Sequence, residues 1–209
     1  MNQIKIACPC LFGLESLVAE EIRRLGYEQT VSTNGRVVFE GDTLAIARAN
    51  LNLRCAERVL VLLAEFEARS FEELFQGVKR LPWEDWIGRD DVFPVKGWSL
   101  NSALHSVPDC QSIIKKAVVE KLKTVYHVDW FQETGAKIQI QFSILKNIVS
   151  VYLDTSGEGL HKRGYRQNAN EAPLKETLAA AMVKLSHFYT DRPFYDPFCG
   201  SGTILIEAA

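Results

Sequence analysis

Between Lys5 and Leu63 the apolar residues switch repeatedly between strand-like and helix-like spacing, and the order of those switches restricts the fold more than any other feature of the chain. Lys5–Cys10 is short and apolar enough for a strand. Leu14, Leu17, Val18, Ile22 and Leu25 then recur at helical spacing, with Gly26 where a helix C-terminus favours glycine. From Gln29 to Glu40 the sequence reads as two extended pieces around Thr33-Asn34-Gly35, and Asn-Gly is the strongest short hairpin signal. Asp42 can cap a helix carrying Leu44, Ala47 and Leu51, and Val59–Leu63 is a continuous apolar run of strand type. The order β-α-β-β-α-β predicts a ferredoxin-like unit over residues 1–67.

A second unit follows: a helix from Phe71 to Lys79, an aromatic stretch from Leu81 to Ile87, a strand near residues 92–97, and a strong helix from Cys110 to Tyr126. Ile113, Ile114, Ala117, Val118, Leu122 and Val125 share one face of that helix, and Asp109 is its candidate cap. Two strands, 137–145 and 148–154, join at Lys146-Asn147, which completes the order α-β-α-β-β. No repeat or low-complexity linker separates the two units, so the boundary near residue 67 comes from topology alone. Residues 155–173 are glycine-rich and basic, as a connection between domains would be. Leu174, Leu178, Ala181, Met182 and Leu185 then predict a helix to Phe188, Asp191-Arg192-Pro193 breaks it, and Phe194–Asp196 reads as a short strand.

No apolar run approaches the roughly 20 residues of a membrane helix, and the N-terminus lacks the layout of a signal peptide, so no membrane partner and a cytoplasmic location are expected. Cys8, Cys10, Cys55, Cys110 and Cys199 form no CxxC pair and read as reduced thiols, mostly buried. Cys8-Pro9-Cys10 has no second Cys/His pair at zinc-site spacing, and the four histidines show no metal spacing either, so no metal is expected. Of Trp83, Trp86 and Trp98, at least two are expected in the core.

Net charge is −2, but its distribution is uneven. Residues 1–110 carry 12 Lys/Arg against 16 Asp/Glu, residues 111–170 carry 9 against 5, and residues 171–209 carry 3 against 5. A polyanion should therefore meet the middle of the chain.

The chemistry concentrates in Asp196–Thr203, which reads DPFCGSGT. A strand, a glycine turn and a helix place a ligand beside exposed backbone N–H groups at the carboxyl end of a sheet. A phosphate-binding P-loop needs GxxxxGK[ST], and no lysine follows Gly202. A dinucleotide fingerprint needs GxGxxG, and its third position here is Leu205. Asp196 would repel a phosphate but suits a ligand with a cationic ammonium and hydroxyls, a description that S-adenosylmethionine meets. Gly200 and Gly202 let the backbone turn sharply without Cβ clashes.

This motif resembles the first cofactor motif of Rossmann-type S-adenosylmethionine-dependent methyltransferases, in the variant shared by enzymes that methylate exocyclic amines of bases. Residues 153–166 (LDTSGEGLHKRGYR), 172–182 (APLKETLAAAM) and 95–122 are similar to one family in that class. It comprises bacterial THUMP-domain RNA methyltransferases related to the large-subunit rRNA guanine-N2 methyltransferases, whose members often carry the label N6-adenine-specific DNA methylase. The resemblance covers most of the chain. It implies an α+β protein with a ferredoxin-like domain at 1–67, a THUMP RNA-binding domain at 68–155, and at 156–209 a linker and the truncated start of a Rossmann-type α/β methyltransferase domain. Structured RNA, in particular rRNA, is the implied partner.

By that resemblance Asp196, Gly200, Ser201 and Gly202 line the methionine end of S-adenosylmethionine, and Phe198, Cys199 and Thr203 shape the turn. Pro173, Leu174, Lys175 and Glu176 match the segment that packs over the cofactor, although an amphipathic helix start explains them almost as well. His161, Lys162, Arg163, Tyr165 and Arg166 either serve RNA phosphates and base stacking or brace the domain junction through hydrogen bonds to backbone carbonyls. Lys115, Lys116, Lys121 and Lys123 fit the RNA-facing side expected of a THUMP domain, while a merely solvated helix face would look the same.

In the resembled family an Asn/Asp-Pro-Pro-Tyr/Phe motif holds the target amine, and no such tetrapeptide occurs in these 209 residues. No catalytic residue is therefore assigned, and the sequence reads as the N-terminal part of a longer methyltransferase, inactive alone. Two other readings stay open: a non-catalytic RNA-binding module with a vestigial methyltransferase part, and a DNA adenine-N6 methyltransferase.

Overall fold

The computed structural model describes residues 3–33, 35–165, 174–189 and 191–209. Its contacts divide the chain into two compact units, one built from the residues up to Leu60 together with Ser156–Ala209, the other from Val61–Thr155.

In the first unit, β1 (Ile4–Pro9), α1 (Glu15–Arg24), β2 (Thr30–Thr33), β3 (Arg36–Gly41) and α2 (Thr43–Asn52) follow the predicted order. The strands run in the order β2-β3-β1, antiparallel at both pairings, with Ile6 opposite Phe39 and Thr30 opposite Phe39 on its other side. Gly26 closes α1 at φ 94°, the left-handed conformation that glycine adopts without strain. Asp42 caps α2 by accepting a hydrogen bond from Ala45 N at 2.9 Å. The core gathers Ile6, Val18, Ile22, Val37, Phe39 and Val59, and Ala180 and Ala181 of α5 (Glu176–Leu185) pack into it. Two alanines in succession let that helix approach closely.

In the second unit, β4 (Leu60–Glu67, within this unit from Val61), α3 (Phe71–Lys79), β5 (Val95–Leu100), α4 (Val107–Tyr126), β6 (Ile140–Leu145) and β7 (Ile148–Asp154) make a sheet ordered β4-β7-β6-β5. The β6–β7 pair is antiparallel through the left-handed Lys146-Asn147 turn, whereas β5 joins β6 in parallel. Ser70 and Glu73 form a capping box at the start of α3. Gly77 permits α3 to lie against β4: a Cβ there would come within 2.2 Å of the Phe66 ring.

Four details differ from the sequence reading. Helix α4 starts at Val107 with Ser106 in the cap position, because Pro108 is tolerated in a first turn, and Asp109 becomes an acidic first-turn residue. Strand β5 begins only at Val95, after Pro94, which has no N–H to donate. Phe194–Asp196 makes no ladder with a described strand. Trp83 is fully buried and donates from Nε1 to Val78 O at 2.8 Å, but Trp86 is partly exposed and Trp98 is 50% exposed, so only one of the three belongs to the core. Four of the five cysteines are buried, as the composition suggested, and Cys199 is exposed.

Candidate functional site

The glycine turn connects the stretch after α5 to α6 (Thr203–Ala208) in the first unit. Asp196 Oδ1 accepts from Phe198 N at 3.1 Å, which folds the carboxylate back over the turn it opens. Gly200 and Gly202 sit at φ 52° and 76°, so both glycines of the motif occupy left-handed backbone that other residues adopt only with strain. The turn closes through Gly202 N to Cys199 O at 2.7 Å, and Ser201 Oγ lies 3.3 Å from Thr203 Oγ1. Thr203 is buried, whereas Phe198, at 94% exposure, and Cys199 point to solvent. A Cβ added to Gly202 would meet nothing nearer than Ile206 Cδ1 at 4.0 Å. The space over this glycine is therefore open, as a ligand lying against the backbone requires. A shallow cleft of about 230 Å³ lined by Met182, Val183, Ser186, Phe194, Asp196 and Ile204 adjoins the turn.

Lys175 and Glu176 open α5. Lys175 Nζ stands 3.6 Å from Glu57 Oε2, Glu176 is buried and partnered, and Thr177 Oγ1 donates to Glu57 Oε1 at 2.7 Å. Pro173 and Arg166 lie outside the described residues.

The basic stretch after β7 is drawn inward. Arg163 donates from its guanidinium to Arg54 O at 2.8 Å and lies 3.3 Å from Glu207 Oε1. Tyr165 OH donates to the same Oε1 at 2.8 Å. His161 Nδ1 is 3.4 Å from Glu57 Oε2, and Lys162 reaches outward, toward Glu158 at 3.7 Å. Arg163 thus makes a bond to a backbone carbonyl, the kind of contact that one of the two roles open for this cluster involves.

The lysines of α4 divide in the second unit. Lys115 donates to Phe93 O at 3.1 Å and to Glu133 Oε1 at 2.7 Å, and its ammonium lies 3.5 Å from the Phe93 ring centroid. Lys121 pairs with Glu84 at 3.1 Å. Lys116 and Lys123 are exposed. Glu120 is held below the ordinary carboxylate range first by its hydrogen bond from Lys79 and further by the charges of Lys116 and Lys123. Lys116, with Pro94, Gln111, Ser112 and Lys115, borders a groove of about 520 Å³ along α4.

The sequence reading missed three glutamates. Glu207, 2% exposed, accepts from the Arg54 guanidinium at 2.7 Å through Oε2 as well as from Tyr165. Glu21 accepts from Arg54 N and Cys55 N, each at 3.1 Å, and its other oxygen lies 2.8 Å from Lys184 Nζ. Glu57 receives Thr177 and Lys175. A buried glutamate among apolar helix positions was the available signal, since Glu21 falls between Val18 and Ile22 on the inward face of α1.

The chain matches the RlmL ferredoxin-like domain over residues 5–60, the THUMP domain over 68–154 and the RMKL-like methyltransferase domain over 163–209. It is 53% identical over its whole length to the protein named RNA methyltransferase YpsC of Bacillus subtilis, 54% of which it covers. Over 94% of its length it is 36% identical to the ribosomal RNA large subunit methyltransferase K/L of Pseudoalteromonas translucida, covering 28% of that protein. The solved structure of SMU.472, described as a methyltransferase in complex with SAH, superposes on all of the chain with a TM-score of 0.93 at 43% identity, and the chain covers 55% of it. The chain thus spans about half the length, or less, of these relatives.

Proposed function

A chain that carries an RlmL ferredoxin-like domain, a THUMP domain and an RMKL-like methyltransferase segment belongs to the THUMP-containing RNA methyltransferase family, and we propose on that premise that it recognises structured RNA for methylation of an exocyclic base amine, guanine N2 of large-subunit rRNA. The domains are taken as 1–67, 68–155 and 156–209. The observation that carries the reading is the turn at Asp196–Gly202: two left-handed glycines, an acidic residue and open space above Gly202.

S-adenosylmethionine would supply a methyl group on a sulfonium, whose leaving group is already good. Asp196 would attract its cationic and hydroxyl groups, Gly200, Ser201 and Gly202 would lie along it through their backbone, and Phe198, Cys199 and Thr203 would shape that path. Lys175 and Glu176 stand at the start of the neighbouring helix and would act from there. RNA phosphates would be met by Lys116 and Lys123, the exposed members of the α4 set, with Lys115 and Lys121 adding charge from their ion pairs. His161, Lys162, Arg163, Tyr165 and Arg166 would follow the RNA where the chain leaves the THUMP domain, Lys162 reaching outward among the described members. Because residues 1–209 contain no Asn/Asp-Pro-Pro-Tyr/Phe tetrapeptide, turnover by this segment alone is not expected.

The test uses the full-length protein with tritiated S-adenosylmethionine, unmodified large-subunit rRNA and duplex DNA of equal length at matched salt. Label recovered as N2-methylguanosine supports the reading. Label in DNA adenine, or RNA binding with no transfer to any nucleic acid, overturns it.

A further inference from the structure

The glycine turn closes on itself through local bonds, Phe198 N to Asp196 Oδ1 and Gly202 N to Cys199 O, and both helices that bracket it in sequence are tied to one place. That place is the four-residue segment Arg54–Glu57, between α2 and β4. The Arg54 guanidinium holds Glu207 of α6. The Arg54 and Cys55 backbone N–H groups hold Glu21, whose second oxygen meets Lys184 near the end of α5. Glu57 takes Thr177 at the start of α5. Arg163 and Tyr165, from the segment that leaves the THUMP domain, converge on Glu207 as well.

We propose that Glu207, Glu21 and Glu57, gathered on segment 54–57, are positioning residues for the cofactor turn, so that the ferredoxin-like part of the chain contributes to S-adenosylmethionine binding and not to RNA recognition alone. The inference rests on the reading of Asp196–Gly202 as a cofactor turn. Its physical basis is that a turn closed by local bonds takes its placement from the elements at its ends, and a misplacement of about 1 Å can cost roughly a hundredfold in rate. Glu207 is the most informative member, because its carboxylate receives groups from Arg54, Arg163 and Tyr165 at once. Removing its charge while keeping its shape would loosen α6 from its footing without opening a cavity.

The experiment compares the full-length wild type with Glu207→Gln, Arg54→Lys and Tyr165→Phe. Calorimetric Kd values for S-adenosylmethionine and S-adenosylhomocysteine, RNA affinity at fixed salt, cofactor KM against kcat, and Tm are measured for each. Glu207→Gln is expected to weaken cofactor binding at least about fivefold, with RNA affinity within about twofold and KM rising by a larger factor than kcat falls. Arg54→Lys, which keeps the charge opposite Glu207, should retain most of the wild-type affinity. Tyr165→Phe removes a single donor and should weaken the cofactor by about twofold, which keeps the test available if Glu207→Gln fails to fold. Cofactor affinity unchanged in the folded variants, with only Tm lowered, overturns the positioning role. A wild type that binds no cofactor overturns the proposed function itself and the inference with it.

Discussion

In the first unit the decisive charged groups are carboxylates withdrawn from water: Glu21 and Glu207 are almost fully buried, and each receives more than one donor. In the second unit they are ammonium groups on one helix, and only Lys115 and Lys121 are bound inward while Lys116 and Lys123 face solvent. The contrast follows from desolvation. A buried carboxylate is tolerable only when paired with charge and hydrogen-bonded, and so becomes a fixed joint, whereas an exposed lysine retains its hydration and stays available to an external anion. One unit uses charge to fix backbone, the other to present it.

The largest expected effect lies on the joint. Glu21→Ala would orphan two backbone N–H groups and the Lys184 ammonium, so it should cost about 3 kcal/mol and lower Tm by roughly 6–12 °C. Thermal denaturation followed by circular dichroism measures it. If Tm falls by less than about 2 °C, the carboxylate is no joint and the contrast between the units breaks. Next comes Lys115→Ala, which loses an ion pair, a bond to Phe93 O and the contact with the Phe93 ring; about 1–2 kcal/mol by urea unfolding is expected. Lys116→Ala and Lys123→Ala should instead leave stability within about 0.5 kcal/mol, while each reduces the slope of log affinity for RNA against log salt by about one. Loss of stability without change of slope would place them with Lys115.

The smallest effect concerns acid. Glu15 is held below the ordinary glutamate range chiefly by the Gly35 N–H, which it accepts at 2.7 Å, with Gly13 N adding at 2.9 Å. A depressed folded-state pKa means that its contribution is present above the unfolded value, about 4.3, and is lost as pH falls through the lower folded value. Wild type and Glu15→Gln should therefore differ in urea midpoint at neutral pH and converge as the solution is acidified into that range.

Much of the fold was legible because its signals are local. The antiparallel β2–β3 pair was signalled by Asn34-Gly35, of which Asn34 lies outside the described residues, and the start of α2 by Asp42. The glycine turn was legible for the same reason: Asp196, Gly200 and Gly202 are close in sequence, and their spacing excluded the phosphate motifs. What escaped were contacts between residues far apart, such as Cys55 N to Glu21 or Arg54 to Glu207, for which no local pattern exists. The strand expected at Phe194–Asp196 failed for a related reason, since apolar content marks a candidate strand but a ladder needs a partner. Trp98 shows the opposite limit: a bulky aromatic predicts burial only on average, and this one stands half open on β5.

The first unit is encoded in two pieces with the whole of the second between them. During synthesis the apolar surface of Ile6, Ile22 and Phe39 must wait for Ala180 and Ala181, and Arg54 waits 153 residues for Glu207. At about 5–20 residues per second, that interval leaves the early hydrophobic face uncovered for several seconds to roughly half a minute on the ribosome. The intervening unit has by then emerged in full and can fold first. Chaperone demand on this protein should therefore fall on its opening sixty residues, which are made before the second unit but covered only after it.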